Sequence, residues 1–166
     1  MTVEIWSDVM CPFCYIGKRH VEKALEQFEG RADVSITWKS FQLNPNVVTD
    51  PNRSVNQYLA EAKGISVEQA KQMNDRVTAM AAEAGLQYDF DKAIVANSFD
   101  AHRLSHLAKK EGKQDAMEER LFRAYFSEGL NTADHETLVR LAVEVGLDAQ
   151  VVRTMLAGTD FADDVE

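Results

Sequence analysis

The chain has 166 residues, of which 45% are hydrophobic and 27% are charged, a composition typical of a globular protein with a sizeable core. Its formal net charge is −9, and residues 61–166 carry −8 of it. An acidic surface repels phosphate backbones, which argues against a nucleic-acid partner. No apolar run approaches the roughly 20 residues of a membrane span. The N-terminus also lacks the basic and apolar regions of a signal peptide, so we expect no membrane partner and a cytoplasmic location.

Two segments near the N-terminus have the alternating pattern of β-strands. Residues 3–6 alternate apolar and polar side chains, and residues 34–39 do so more clearly. The alternation changes parity near Ser40, which predicts a bulge or the end of the second strand there. Between them lies a predicted helix, and a strand–helix–strand order predicts a parallel pair.

The predicted helix between the strands begins at the cysteines. Pro12 suits a first helical turn, because its missing N–H would have had no partner within the helix. Gly30 predicts the end of the helix. A buried stripe is predicted from four residues at helical spacing: Cys14, Val21, Leu25 and Phe28.

From about residue 54 the sequence is almost wholly helical. Ser66 and Gln69 form a predicted capping box, and Gly85 follows the end of that helix. Thr159-Asp160 has the character of a further helix start. Four more helices are predicted at 97–111, 114–128, 133–145 and 148–156. Core positions predicted from helical spacing include Met73, Met80, Leu121 and Phe122.

The two cysteines of Cys11-Pro12-Phe13-Cys14 are the groups that carry chemistry. Thiolate is the attacking form of cysteine, and a helix N-terminus favours it through unpaired N–H groups and positive partial charge. Cys11 lies at this terminus, and Cys14 lies one turn later on the apolar stripe. We therefore expect Cys11 to attack a disulfide and Cys14 to resolve the mixed disulfide.

The residues around the cysteines predict only moderate activation of the thiol. Pro12 and Phe13 add no charge, and an ionised Asp8 near Cys11 would oppose the thiolate. We expect the pKa of Cys11 in the upper part of the roughly 3.5–7.5 range for activated cysteines. Such a pKa favours a reductase or isomerase over a strong oxidant.

Two alternatives use the same cysteines without redox chemistry. The pair could simply pack in the core. It could also bind a metal together with His102 and His106, which have His-x-x-x-His spacing, although 87 residues separate Cys14 from His102. A solvated or hydrogen-bonded pair of histidines on one helix face is the simpler interpretation, and no metal site is predicted.

Three stretches resemble one known family. Residues 3–17 (VEIWSDVMCPFCYIG), 38–45 (WKSFQLNP) and 97–104 (NSFDAHRL) are similar to the DsbA-like thioredoxin superfamily, specifically its FrnE-like branch. The resemblance spans nearly the whole chain. It implies thiol–disulfide oxidoreductase activity, with Cys11 and Cys14 as the catalytic pair and a redox-active disulfide in place of a bound cofactor. Asn97, His102 and Arg103 match a family motif without an assigned catalytic role.

The resemblance implies an α/β, thioredoxin-like fold with a large all-helical insertion. Residues 1–50 would form a thioredoxin-like portion and residues 51–157 the helical insertion, with 158–166 starting a helix that returns to the thioredoxin-like portion. The implied partners are protein or small-molecule thiols and disulfides.

The sequence departs from the family pattern after the insertion. Family members have a cis-proline loop there, followed by two strands and a helix, whereas the three prolines here are at 12, 45 and 51. The fold is therefore expected to be truncated before its last strands. The first strand would then have an exposed edge, through which self-association is a further expectation.

Two rival functions remain open. A sister branch contains glutathione-using isomerases and kappa-type transferases, which need one Ser or Cys at the helix terminus and no resolving thiol such as Cys14. The other rival is a non-catalytic binding fragment.

Overall fold

A computed structural model describes residues 1–166. Two strands and eight α-helices make up most of the chain, with a 3₁₀ turn at Arg31–Asp33 and a π-helical turn at Ala124–Glu128. The strands are β1 (Thr2–Ser7) and β2 (Ser35–Ser40). The helices are α1 (Pro12–Glu26), α2 (Val55–Lys63), α3 (Val67–Glu83), α4 (Phe99–Lys110), α5 (Gln114–Arg123), α6 (His135–Glu144), α7 (Ala149–Ala157) and α8 (Ala162–Val165).

The two strands form a parallel pair, as predicted from the strand–helix–strand order. Their register places Ile5 beside Trp38 and Ser7 beside Ser40. The far edge of β2 is covered by Gln114, whose side-chain oxygen accepts from the Trp38 N–H (3.1 Å) and whose amide donates to the Trp38 carbonyl (3.0 Å). The other edge of β1 has no strand partner.

Helix α1 begins where the sequence predicts and ends earlier. Cys11 is its N-cap and Pro12 its first residue, whereas the helix stops at Glu26, before Gly30. The predicted buried stripe is wrong: Cys14, Val21 and Leu25 are half-buried and Phe28 is 49% exposed. The side chains that α1 buries are those of Tyr15, Ile16 and Lys18. The buried face of α1 is the one that meets α5, where Tyr15 stacks on Phe122 and Lys18 pairs with Glu119.

The helical segment, from α2 to α8, has its helices where the sequence predicts them. The capping box of Ser66 and Gln69 is present at the start of α3, and α2 has another formed by Ser54 and Gln57. The predicted helices at 97–111, 133–145 and 148–156 correspond to α4, α6 and α7, and the predicted helix 114–128 corresponds to α5 and the π-helical turn.

Two of the four predicted core positions are wrong. Met73 and Met80 are 37% and 45% exposed, while Leu121 and Phe122 are fully buried. Helix α3 turns a different face inward, because it packs with small and medium side chains: Ala70, Asn74, Val77 and Ala81.

One hydrophobic core joins the cysteine-bearing segment, which comprises β1, α1 and β2, to the helical segment. Phe122 stacks on Tyr15 of α1 at a centroid distance of 5.0 Å and meets Trp38 of β2 edge-on at 6.2 Å. Buried residues from both segments belong to the same cluster. The division at residues 50 and 157 remains a prediction.

A glycine closes the π-helical turn after α5. Gly129 has φ +65°, and a Cβ there would lie 2.5 Å from the Lys92 carbonyl oxygen. Only glycine fits this backbone position without displacing the Lys92 main chain. No helix of the chain is both long enough and apolar enough to traverse a bilayer.

Candidate active site

The two cysteines lie on the first turn of α1. Cys11 is the N-cap residue and Cys14 is the third helical residue, and the Cys14 N–H donates to the Cys11 carbonyl at 3.1 Å. Both are free thiols and half-buried. The structure therefore brings together the pair that the sequence predicts, one helical turn apart.

The protonation of each cysteine depends on the other. The hydrogen bond between the two thiols raises the pKa of Cys11 above its ordinary value and lowers the pKa of Cys14 to about 6. The pair thus loses its first proton near neutral pH and holds its second strongly. The shared hydrogen bond is the largest cause in both shifts.

The surroundings influence which sulfur carries the charge. Backbone N–H groups of Phe13 and Cys14 lower the pKa of Cys11, as expected at a helix N-terminus. The negative charge of Asp8 raises the pKa of Cys14. Cys14 also packs against the hydrophobic core, whereas Cys11 does not. The Asp8 N–H lowers the pKa of Cys14 in turn, and burial raises the pKa of Cys11, so charge alone does not select Cys11. The N-cap position of Cys11 and the packing of Cys14 against the core favour Cys11 as the sulfur that meets a substrate.

Asp8 is buried directly before the cysteine motif. Its carboxylate accepts from the Leu43 N–H at 2.7 Å and lies 3.2 Å from Nε2 of His102, and it is 1% exposed. Burial alone would raise the pKa of Asp8, but the interaction with His102 and the bond from Leu43 outweigh it and lower the pKa below its ordinary value. Asp8 is therefore a fixed negative charge behind the cysteines.

The two histidines of α4 have separate hydrogen-bond partners. His102 pairs with Asp8, and Nε2 of His106 lies 2.8 Å from the Ser40 hydroxyl. Burial lowers the pKa of His106. No group of three or more His, Cys, Asp or Glu side chains is arranged to hold a metal ion.

Polar contacts fix the orientation of α1 against α5. Glu119 accepts from the Tyr15 hydroxyl and from Arg19, each at 2.8 Å. Burial would raise the pKa of Glu119, but the hydrogen bonds from Arg19 and Tyr15 lower it to about 2. Lys18 adds ion pairs to Glu119 and Asp115. The helix that carries both cysteines is thus tied to the helical segment.

A cavity of about 320 Å³ opens beside the cysteine motif. It is mostly apolar and is lined by Met10, Pro12, Leu43, Tyr58, Phe90 and Tyr125, among others. A larger cavity of about 550 Å³ lies among α4, α7 and α8, and no residue of the cysteine motif or next to it lines that cavity, whereas Met10 and Pro12 on either side of Cys11 line the smaller one. Only the smaller cavity is placed to receive groups next to a reacting disulfide.

Sequence reasoning missed several polar groups near the cysteines. The Tyr88 hydroxyl donates to the Pro12 carbonyl, and Glu118 is wholly buried near Cys14, where burial raises its pKa. Ser7 is also buried beside them. Helical spacing could have placed Glu118 near Leu121 and Phe122, but no local pattern links residue 88 to residue 12.

Comparison with known proteins places the chain in a family. A model of the DSBA-like thioredoxin domain matches residues 2–166. The chain belongs to the DSBA-like thioredoxin domain family. This finding confirms the resemblance predicted from the sequence and the thioredoxin-like fold with its helical insertion. The narrower FrnE-like assignment remains a prediction.

Solved structures of DsbA-type proteins share this fold. A probable DsbA oxidoreductase from Streptomyces coelicolor, SCO1869, is 40% identical with a TM-score of 0.88, and the match covers 99% of this chain and 71% of that one. The cytosolic disulfide reductase DsbM from Pseudomonas aeruginosa is 17% identical, with a TM-score of 0.66 over 96% and 70% of the two chains. The second likeness shows the fold alone.

The uncharacterized protein YwbO of Bacillus subtilis is a further relative. It is 29% identical over 97% of this chain and 74% of its own length. Together with family membership and the Cys11–Cys14 pair, the comparisons establish a general class, a DsbA-like oxidoreductase or isomerase.

Proposed function

We propose that the protein exchanges thiols and disulfides in protein or small-molecule substrates through Cys11 and Cys14, as a reductase or isomerase. The observation that carries this proposal is a pair of free, half-buried cysteines at the N-terminus of one helix, with one shared proton near neutral pH. No bound cofactor is needed, because the pair itself accepts and returns two electrons.

The reaction has two displacement steps. The Cys11 thiolate attacks one sulfur of the substrate disulfide, so that a mixed disulfide forms and one substrate thiolate leaves. The Cys14 thiolate then attacks the Cys11 sulfur, the mixed disulfide breaks, and the second substrate thiolate leaves. The substrate is reduced by two electrons and the protein is oxidised to the Cys11–Cys14 disulfide, while the leaving thiolates take up protons from the solvent.

The environment of the thiolate favours reduction or isomerisation of substrates over their oxidation. Asp8 places a buried negative charge behind the pair, and no cationic side chain lies between the cysteines. The helix N-terminus and the shared proton are therefore the main groups that stabilise the reduced, charged form. Strong oxidants owe their potential to a stabilised reduced form. Reduction or isomerisation is the chemistry that fits better.

Insulin reduction by dithiothreitol tests this proposal. Wild-type protein should accelerate the reduction, and Cys11→Ser should bring the rate down to the uncatalysed background. Cys14→Ser should also slow turnover but should trap covalent adducts. Equal rates for wild type and Cys11→Ser would refute disulfide exchange through Cys11 and leave the non-catalytic binding fragment standing.

The glutathione-dependent alternative has a separate test. The fold is shared with a 2-hydroxychromene-2-carboxylate isomerase at 16% identity and a TM-score of 0.63, which shows the fold alone. Cys14 has no part in such chemistry. Tight glutathione binding that survives Cys14→Ser, measured by calorimetry, would favour this alternative.

Two further predictions belong to the same proposal. A cytoplasmic location agrees with a redox role for the only two cysteines, because structural disulfides are rare in the cytosol.

Self-association of two copies would use the unpaired edge of β1, where Trp6 is 60% exposed. Sedimentation across a concentration series should show a dimer, and a monomer at all concentrations would refute it.

A further inference from the structure

Ser7 has a buried hydroxyl for which the structure shows no hydrogen-bond partner. The residue is 3% exposed at the end of β1, and its hydroxyl is the one buried side-chain N or O atom left unpaired in the chain. Its carbonyl, by contrast, accepts from the Phe41 N–H at 3.0 Å. A buried unpaired hydroxyl costs stability, so its presence calls for a compensating role.

The position of Ser7 directs this hydroxyl towards the cysteine pair. Side chains alternate along β1, so Val3, Ile5 and Ser7 share the inward face. Ile5 and Cys14 both pack against the hydrophobic core on that side. The backbone N–H of Asp8, the next residue, acts directly on the Cys14 sulfur and lowers its pKa. Ser7 therefore lies beside the buried face of Cys14.

We infer that Ser7 is a positioning residue that donates its hydroxyl hydrogen to the sulfur of Cys14 when that sulfur becomes a thiolate. The inference rests on the proposed resolving role of Cys14. A neutral thiol is a weak acceptor, which explains why the hydroxyl lacks a partner in the dithiol form. A thiolate is a strong acceptor, and charge-assisted hydrogen bonds are about twice as strong as neutral ones.

This donation acts on the second displacement step. Cys14 must be a thiolate to attack the Cys11 sulfur in the mixed disulfide, after Cys11 has lost its own negative charge. At that point the thiol of Cys11 can no longer donate to Cys14. Ser7 and the Asp8 N–H are then the donors that remain, and donation from the Ser7 hydroxyl lowers the pKa of Cys14.

Other charged or titratable groups act on Cys14 from the elements around it. The Asp8 carboxylate raises its pKa and is itself paired with His102 of α4. Glu118 of α5 and Tyr88 also interact electrostatically with Cys14. None of them donates a hydrogen bond to its sulfur, so none duplicates the proposed role of Ser7.

The direct test is a titration of Cys14 alone. In Cys11→Ala protein, thiolate absorbance at 240 nm measured against pH gives the pKa of Cys14 without requiring catalysis. Adding Ser7→Ala should raise this pKa by roughly one, a tenfold increase in proton affinity. Adding Ser7→Thr, which keeps a hydroxyl, should restore it. An unchanged pKa in Ser7→Ala would overturn the inference.

A matched control is the strand partner of Ser7. Ser40 pairs with Ser7 in the sheet, but its hydroxyl already contacts His106. Ser40→Ala should leave the pKa of Cys14 unchanged. Unfolding by urea supplies a second readout: Ser7→Ala should be neutral or slightly stabilising, because it removes an unpaired polar group. Destabilisation with an unchanged pKa would instead mean a purely structural role.

The two-cysteine protein supplies a kinetic test with Ellman's reagent. The first equivalent of nitrothiobenzoate reports attack by Cys11, and the second reports resolution by Cys14. In Ser7→Ala the second phase should slow roughly tenfold below the pKa of Cys14, with the first phase changed less than twofold. Equal slowing of both phases would overturn the inference. Failure of insulin reduction would refute the proposed function while the titration of Cys14 still stood.

Discussion

The cysteine-bearing segment and the helical segment bury their apolar side chains to very different extents. Trp6, Phe13 and Phe41 are each more than half exposed, whereas residues 101–108 of α4 are all buried. The cysteine-bearing segment contributes Tyr15 and Trp38 to the core, and both rings contact Phe122 of α5. The active-site helix therefore depends on the helical segment, to which Tyr15 is joined through Phe122 and Glu119.

The largest expected effect comes from removing the side chain that joins the segments. Phe122→Ala should lower the free energy of unfolding by about 3–5 kcal/mol, since it opens a cavity between Tyr15 and Trp38. Urea unfolding should remain a single transition, followed by both far-UV circular dichroism and tryptophan fluorescence. A loss below 1 kcal/mol, or two separated transitions, would mean that the segments are stabilised independently.

A smaller effect is expected at the edge of β2. Gln114→Ala removes both hydrogen bonds to the Trp38 backbone and leaves a buried N–H and C=O unpaired. The expected loss is about 1–3 kcal/mol. Gln150→Ala, at an exposed position of α7, is the control and should change stability by less than about 0.5 kcal/mol. Equal effects of the two substitutions would show that Gln114 does not support the sheet.

The contact between α1 and α5 predicts a pH dependence. The pKa of Glu119 falls from 4.5 to about 2 on folding, so its contribution is complete above pH 4.5 and is lost as the pH falls towards 2. Allowing for screening, Glu119→Gln should cost about 1–2 kcal/mol at pH 7 and little at pH 2. Unfolding measured at both pH values checks this. A constant cost would contradict the ion-pair explanation.

The smallest effect is expected on the outer face of α3. Met80→Gln should change the free energy of unfolding by less than about 0.5 kcal/mol, because the side chain is 45% exposed. Chemical denaturation checks this value. A loss above about 2 kcal/mol would restore the core position that helical spacing predicted for Met80.

Local sequence patterns predicted the helices and strands, but they did not predict the long-range contacts. The strands, the helix start at Pro12 and the capping box of Ser66 depend on neighbours in sequence, and the structure has them where they were predicted. The burial of Phe28 and Met80 depends on which helix face finds a partner. That choice is made in three dimensions, so periodicity alone could not supply it.

In the active site, too, contacts between neighbours in sequence could be predicted and contacts between distant residues could not. The pairing of Cys11 with Cys14 follows from their spacing and from the helix start between them. The contact between Asp8 and His102 joins residues 94 positions apart, whereas the sequence predicted for Asp8 only a local charge that opposes the thiolate. The unpaired hydroxyl of Ser7 was likewise invisible, because a serine at a strand end is usually solvated.

The central claim is that Cys11 is the sulfur that meets the substrate, although the hydrogen bond between the thiols lowers the pKa of Cys14 and raises that of Cys11. Cys14→Ser and Cys11→Ser proteins should be incubated with glutathione disulfide at pH 7, with adducts quantified by peptide mass spectrometry. We expect rapid glutathionylation of Cys11 in the first protein and at least roughly tenfold slower reaction of Cys14 in the second, because Cys14 packs against the core. Faster reaction at Cys14 would contradict the assignment.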